Sequence, residues 1–563
     1  MFVSYLSPVA PAAVLLLSAF ILLLLVWLSP PGGQVRPFLQ NYLVLLLVGV
    51  AGLSLFFIRL TLVADQAGSG LTELSSWSFS AETIAALTVR ADEISLPFLF
   101  LTLLLLGVMS LMTAPMYRSP EALPENDHLS QPSRWRVAAG WLLVGASAAL
   151  LFVSANILTI NYSLLIFDIL LAGYWLRQRN PDLAVARLFL GVLTVTGLSL
   201  NGAERLAGGT NLAQGAGSLL VAGVLWLRLA LFPWLELAAP FRPAGPASRS
   251  RVWVDDDERL VYGGLSLLVG IFLVGRVVAT ELPDLFLGLT IVAMGLSGLL
   301  AWLSERYPVG LIYLILTETL LLLLVAPASG EVVIATTLTL LLGLVALWVT
   351  PRLGRPSLEE RAWLWPYLPA LLATLSLLGL PLSLGWLMRT TFYDTLFAAG
   401  NLTIMIGAGL AEMLALSSLV RYWVTLWQGK NGPGVRLTVA VMVVVPFLVP
   451  GLAPFVLSRV TRSELLTGPL THLPAVLTMT VVVTGGAFLL NFYRAAILAR
   501  WRISAETLTK LAQLRWLWIW GGRWLRQIGN FLLRLDLVLE GQHYLGWAIA
   551  AALVGLLVIL LQT

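Results

Sequence analysis

Arg228 lies near the middle of the apolar stretch Ala216–Trp234, and Pro233 follows it by five residues. A guanidinium at the centre of a bilayer costs about 2.5–3.5 kcal/mol on insertion scales, so it faces a protein interior or a wet cavity. Proline frees a backbone carbonyl nearby and marks a broken helix of the kind that lines ion pathways. Arg389 also lies near a proline, Pro381, which precedes it by eight residues. Three carboxylates share this environment: Asp168 in the middle of one apolar span, Glu318 at the centre of another and Glu412 central in a third. Each needs a partner or water to stay there. Asp168 with Arg228 reads either as an ion pair on a proton path or as a purely structural buried pair. Glu318 and Glu412 carry the same two readings. Such a set suits chemistry that moves charge.

The elements that must hold these residues are membrane spans. Of 563 residues 59% are hydrophobic and only 11% charged, with mean hydropathy +0.90, which excludes a soluble domain. Apolar runs of span length fall near 10–29, 42–63, 94–113, 137–154, 156–176, 187–201, 216–238, 260–278, 283–303, 309–326, 332–350, 364–388, 401–428, 436–458, 472–498 and 544–562. The expected fold is therefore all-α and polytopic, with about sixteen spans. The first run lacks a basic n-region and a small-residue cleavage site, and is expected to be a retained span.

Basic residues collect in alternate loops. Arg36, Arg118, Arg134, Arg136, Arg177, Arg179, Arg187, Arg242, Arg249, Arg251, Arg259, Arg306, Arg352, Arg355, Arg361, Lys430 and Arg436 fall on one side. Fewer (Arg59, Arg90, Arg205, Arg276, Arg389, Arg459 and Arg462) fall on the other. The positive-inside rule then puts the N-terminus outside. The acidic run Asp255–Glu258 reads as a solvated loop, and Arg276 as a snorkelling side chain at a span end. Residues 500–540 interleave Arg502, Lys510, Arg515, Arg523, Arg526 and Arg534 with Trp501, Trp516, Trp518, Trp520 and Trp524, the pattern of an amphipathic helix lying in the membrane interface. The net charge of +5 comes without a basic stripe interleaved with stacking aromatics, so no nucleic-acid partner is expected. The chain has no cysteine, and its three histidines lie far apart, so thiolate metal sites and iron–sulfur clusters are excluded and no bound cofactor or metal is expected.

Several segments together resemble the antiporter-like family, the proton-pumping membrane subunits of respiratory complex I, Mrp antiporters and membrane-bound hydrogenases. Arg90-Ala-Asp-Glu-Ile-Ser-Leu-Pro-Phe98 resembles the opening of that family's third helix. Arg228 through Pro233-Trp234 resembles its broken seventh helix, and Val269-Gly-Ile-Phe-Leu-Val-Gly-Arg276 the end of its eighth. Leu375-Ser-Leu-Leu-Gly-Leu-Pro-Leu-Ser-Leu-Gly-Trp-Leu-Met-Arg389 resembles the broken twelfth. The tail through Leu539-Glu-Gly-Gln-His-Tyr-Leu-Gly-Trp547 is similar to the lateral helix and closing span of the distal complex I subunit.

The resemblance implies N-terminal spans over 1–136, two inverted five-helix repeats over 137–278 and 283–428, further spans over 436–498, a lateral helix over 500–540 and a final span over 544–563. Pro233 and Pro381 would break one helix in each repeat. It also implies proton, or sodium, translocation inside a multisubunit complex in a prokaryotic plasma membrane. Redox cofactors would reside in partner subunits, as in NADH–quinone oxidoreductase. The match is incomplete: Arg228 and Arg389 stand where the family has lysines, and arginine keeps its proton in proteins. Asp168 lies a few positions beyond the expected glutamate, Tyr262 replaces a histidine, and Val333–Val349 holds no ionisable side chain. These departures leave open a scaffold subunit with a degenerate relay, and also a membrane subunit of a dissolved inorganic carbon accumulation complex.

Overall fold

The computed structural model describes residues 7–28, 37–64, 71–78, 84–92, 94–112, 131–177, 181–206, 214–231, 249–277, 283–304, 307–325, 330–352, 367–380, 383–428, 473–500 and 527. Pro233, Pro381, the expected span at 436–458, the lateral helix and the final span lie outside them.

The described helices are α1 (Ala10–Leu28), α2 (Pro37–Ala64), α3 (Ser95–Met112), α4 (Gln131–Phe152), α5 (Ile157–Arg177), α6 (Pro181–Leu206) and α7 (Gln214–Trp226), which runs into a π-turn over Leu227–Leu231. Then follow α8 (Arg249–Val277), α9 (Asp284–Leu303), α10 (Tyr307–Leu324), α11 (Gly330–Val349), α12 (Leu368–Leu377), α13 (Leu384–Ala398), α14 (Leu402–Gln428), α15 (Leu473–Phe492) and α16 (Arg494–Arg500). Among the described residues, ten helices are long and apolar enough to cross a membrane, by length and composition. The chain is a multi-pass, all-α membrane protein. Helices satisfy their own backbone groups, which is why apolar Leu-, Val- and Ala-rich runs take this form in lipid.

Burial orders the bundle. Helix α3, α8 over Glu258–Val277 and α11 over Val332–Val349 are enclosed along most of their length, the last completely, whereas α1, α9 and α15 keep apolar faces open at residues such as Phe20, Leu285 and Phe488. In a membrane those faces meet lipid tails, so their exposure carries no aqueous penalty. Phe98, Phe152 and Phe272 join α3, α4 and α8 through a triangle of rings with centroids 5.1–5.3 Å apart. Two arginines fasten the C-terminus of α9: Arg421 donates to the carbonyls of Ala301 and Ser304, and Arg494 to those of Trp302 (3.2 Å) and Leu303 (2.9 Å). Cations satisfy the orphan carbonyls and the negative helix end there.

Three sequence expectations need correction. The segment between α2 and α3, expected only as a connection between two spans, contains an antiparallel hairpin, β1 (Leu71–Ser78) with β2 (Ile84–Arg90). Its second strand is tied to the α4–α5 junction by Arg90 N–H donating to Val153 O (2.7 Å) and Ala155 N–H to Thr88 O (3.0 Å). Arg276 is mostly buried, its side chain 23% exposed, and pairs with Asp92, whose Oδ1 also accepts from Ser95 N–H (2.8 Å) at the start of α3. The acidic run is helical, since α8 begins at Arg249, and Glu258 is buried.

Candidate functional site

The expected residues assemble into two buried charge clusters. Asp168, near the middle of α5, receives two arginines. Arg187 Nε donates to its Oδ1 at 2.8 Å and Arg228 Nη2 to its Oδ2 at 2.5 Å, with all three side chains almost fully enclosed. Arg228 Nε also donates to Thr194 Oγ1 (2.9 Å), and Arg187 Nη1 to Ser266 Oγ on α8 (3.0 Å). Arg228 lies in the π-turn that ends α7, where an extra residue per turn re-aims a side chain. Helix α6 supplies one face at i, i+4 and i+7: Arg187, Gly191 and Thr194. Gly191 makes room, because a Cβ there would sit 2.9 Å from Asp168 Oδ2.

Arg187, expected in a loop, lies deep in the bundle. The Arg187-x3-Gly191-x2-Thr194 spacing was the available signal, one polar stripe on an otherwise apolar helix.

The second cluster is centred on Arg389, which the loop tally had put at a span end. It is fully buried in α13. Its Nη2 donates to Glu318 Oε1 on α10 and to the carbonyl of Leu377, each at 2.9 Å, and its Nη1 approaches Glu412 Oε2 on α14 at 3.3 Å. Tyr393 donates its hydroxyl to the same Glu412 oxygen. The chain is not continuously helical before Arg389; Pro381 itself is outside the described residues. Helix α12 stops at Leu377, Gly379 turns with φ +63°, and α13 starts at Leu384 with Ser383 as N-cap. Stopping α12 leaves the Leu377 carbonyl without a helical donor, and the arginine supplies one.

Gly379 is required twice over: its φ is left-handed, and a Cβ would collide with the Arg389 stem. Gly379→Ala is expected to cost at least about 1–2 kcal/mol from the backbone alone. It should also push Arg389 off its carboxylates, giving a lower apparent melting temperature in detergent. Unchanged melting would show that the turn relaxes freely.

A polar line leads from one end of the bundle toward the first cluster. Arg177, half exposed at the end of α5, donates to both carboxylate oxygens of Glu258 at 2.9 and 3.0 Å. One and two turns further along α8 come Tyr262, stacked on Tyr174 at 4.0 Å between ring centroids, and Ser266, which accepts from Arg187. Glu258, expected to be solvated, is buried here, as is Tyr262. Among the described residues no group of three or more His, Cys, Asp or Glu could hold a metal ion.

No protein-family model matches the sequence, and no curated protein does either. Solved structures do. The chain aligns with a chain of the Mrp complex from Dietzia sp. DQ12-45-1b at TM-score 0.61 and 16% identity, covering 98% of this chain and 62% of that one. It therefore spans less than two thirds of that relative's length. It also aligns with a chain of respiratory complex I from Thermus thermophilus (TM-score 0.51, 18% identity, 83% of this chain and 99% of that one). A third match is to a chain of the archaeal membrane-bound sulfane sulfur reductase (TM-score 0.58, 13% identity, 86% and 99%). This protein thus has the fold that these chains of the Mrp, complex I and sulfane sulfur reductase assemblies share.

Proposed function

We propose that this chain is a membrane subunit of a multisubunit ion-translocating complex and that it conducts protons, or sodium ions, through the two clusters, driven by redox chemistry in partner subunits. The observation that carries the reading is the composition of the second cluster. One guanidinium faces two carboxylates in a fully buried site, and Glu318 Oε2 and Glu412 Oε1 have no hydrogen-bond partner among the described residues. Arg389 neutralises one negative charge. The other is tolerable in an apolar interior only with a proton or a cation beside it. A site that must take up a cation to be neutral, and that has a helix break beside it, suits loading and release. Arg389 keeps its proton, so it fixes the field while the carboxylates exchange.

The first cluster supports the same reading more weakly, since both of its cations are arginines. In the plasma membrane of a prokaryote the N-terminus would face outward and the lateral helix of 500–540 the cytoplasm. The arginine asymmetry supports this orientation even with Arg187 and Arg389 removed from the tally.

Glu318→Gln tests the proposal in vesicles carrying the native complex. Ion uptake is expected to fall by roughly a hundredfold or more, as when a positioned proton-transfer group is lost, with assembly intact. Normal uptake in a fully assembled complex would instead identify a scaffold. That second reading draws on α11, which has no ionisable side chain along its buried length Val332–Val349. The chains that copurify would separate a redox complex from one that accumulates inorganic carbon.

A further inference from the structure

The end of helix α12 is where backbone oxygen could meet an ion at the second cluster. Helix C-termini leave carbonyls without helical donors, and at broken membrane helices such carbonyls coordinate sodium. A sodium ion entering a dry site gives up its water and needs several oxygens in exchange. A proton needs one lone pair. The two ions therefore make different demands on the same cluster.

Helix α12 makes its last regular bond from Leu378 N–H to Thr374 O (2.8 Å). Leu375 O then accepts from Leu380 N–H (3.1 Å) and Ser376 O from Gly379 N–H (2.9 Å). These are the two bonds of a Schellman turn, with Gly379 in its left-handed position. Beyond the turn Leu380 O accepts twice, from Ser383 N–H (3.1 Å) and from the Ser383 hydroxyl (2.6 Å). Leu377 O takes its donor from outside the turn, Arg389 Nη2 at 2.9 Å.

Packing closes the same carbonyls sterically. A Cβ at Gly385 would overlap the Ser376 carbonyl, and one at Gly379 the Arg389 stem, so α13 lies directly on the end of α12. Gly385 N–H also donates to Ser376 Oγ (3.1 Å). Arg389 completes the enclosure because its planar fork works from two nitrogens. Nη2 holds Glu318 Oε1 (2.9 Å) together with the carbonyl, and Nη1 faces Glu412 Oε2 (3.3 Å). Each glutamate keeps one oxygen without a partner among the described residues, Glu318 Oε2 and Glu412 Oε1. Either is enough for a proton, and the pair does not replace a sodium hydration shell.

We propose that Arg389 is the specificity-determining residue of the second cluster. By occupying the Leu377 carbonyl and one oxygen of each glutamate, it shuts dehydrated sodium out of the helix break. Resting on the conduction reading above, this leaves the proton as the ion that the glutamates exchange.

Sodium-dependent stability of the native complex in detergent tests the proposal without transport, because an ion bound by the folded chain raises its apparent melting temperature. Melting of this chain is compared in sodium chloride and choline chloride at equal pH and ionic strength. The parent and Glu318→Gln are expected to show the same difference between the salts, so that sodium bound elsewhere in the complex cancels. Arg389→Met frees the carbonyl and both carboxylates, and its upward shift in sodium should exceed the parent's. A parent shift that Glu318→Gln removes, or an Arg389→Met shift no larger than the parent's, would overturn the proposal. Should Arg389→Met not accumulate, the comparison of the parent with Glu318→Gln still decides. Ion uptake in vesicles separates exclusion from conduction. Glu318-dependent uptake that requires sodium would keep conduction and overturn exclusion. No Glu318-dependent uptake in either salt, with no glutamate-dependent sodium shift, would overturn conduction and keep exclusion.

Discussion

Arg389→Met should destabilise the assembled chain by about 3–5 kcal/mol, the cost of removing one partner from a buried ion pair. Methionine fills the volume of the arginine stem over Gly379, so the loss is electrostatic and not a cavity effect. Without the guanidinium, Glu318 and Glu412 face each other across an apolar site, and the Leu377 carbonyl loses its donor. The apparent melting temperature in detergent measures the loss. Adding Glu318→Gln and Glu412→Gln should restore most of it, because the uncompensated charges go with the arginine. A single Arg389→Met variant as stable as the parent would mean that the cluster is hydrated well enough to need no internal cation.

Asp168→Asn should have an effect of similar size at the other cluster, again about 3–5 kcal/mol. One carboxylate serves two guanidiniums, so its neutralisation leaves Arg187 and Arg228 repelling each other beside an amide that can accept from only one side. Asparagine is nearly isosteric, and the tight contact with Gly191 is preserved. The informative measurement is a double-mutant cycle with Arg187→Met. Coupling of about 0.5–3 kcal/mol is expected for residues in one network. Additive losses would show that the two side chains act independently, contrary to the 2.8 Å contact.

Much of the site was legible as five ionisable residues in apolar runs, and the structure brings Asp168 to Arg228 and Glu318 and Glu412 to Arg389. The reason is energetic. Isolated charges in lipid are costly enough that each implies a partner. Which partner was harder to read. Arg187 looked like a loop residue because a positive charge near a span end fits snorkelling as well as burial. Only the packing of α6 against α5 showed otherwise. Glu258 was discounted as one of four consecutive acidic residues, and its pairing with Arg177 lies 81 positions away in sequence. The hairpin, with strands Leu71–Ser78 and Ile84–Arg90, was not legible because neither strand alternates apolar and polar residues with a regular period of two. Its hold on the α4–α5 junction is wholly tertiary.

The sequence by itself determined that this is a helical membrane protein with charges that must be answered inside it. That follows from hydropathy and from the cost of burying an ion, both local properties of residue type. The tertiary structure alone decided the stoichiometry: two arginines on one aspartate in the first cluster, two glutamates on one arginine in the second. Charge balance depends on which helix faces meet, and no single helix carries that information.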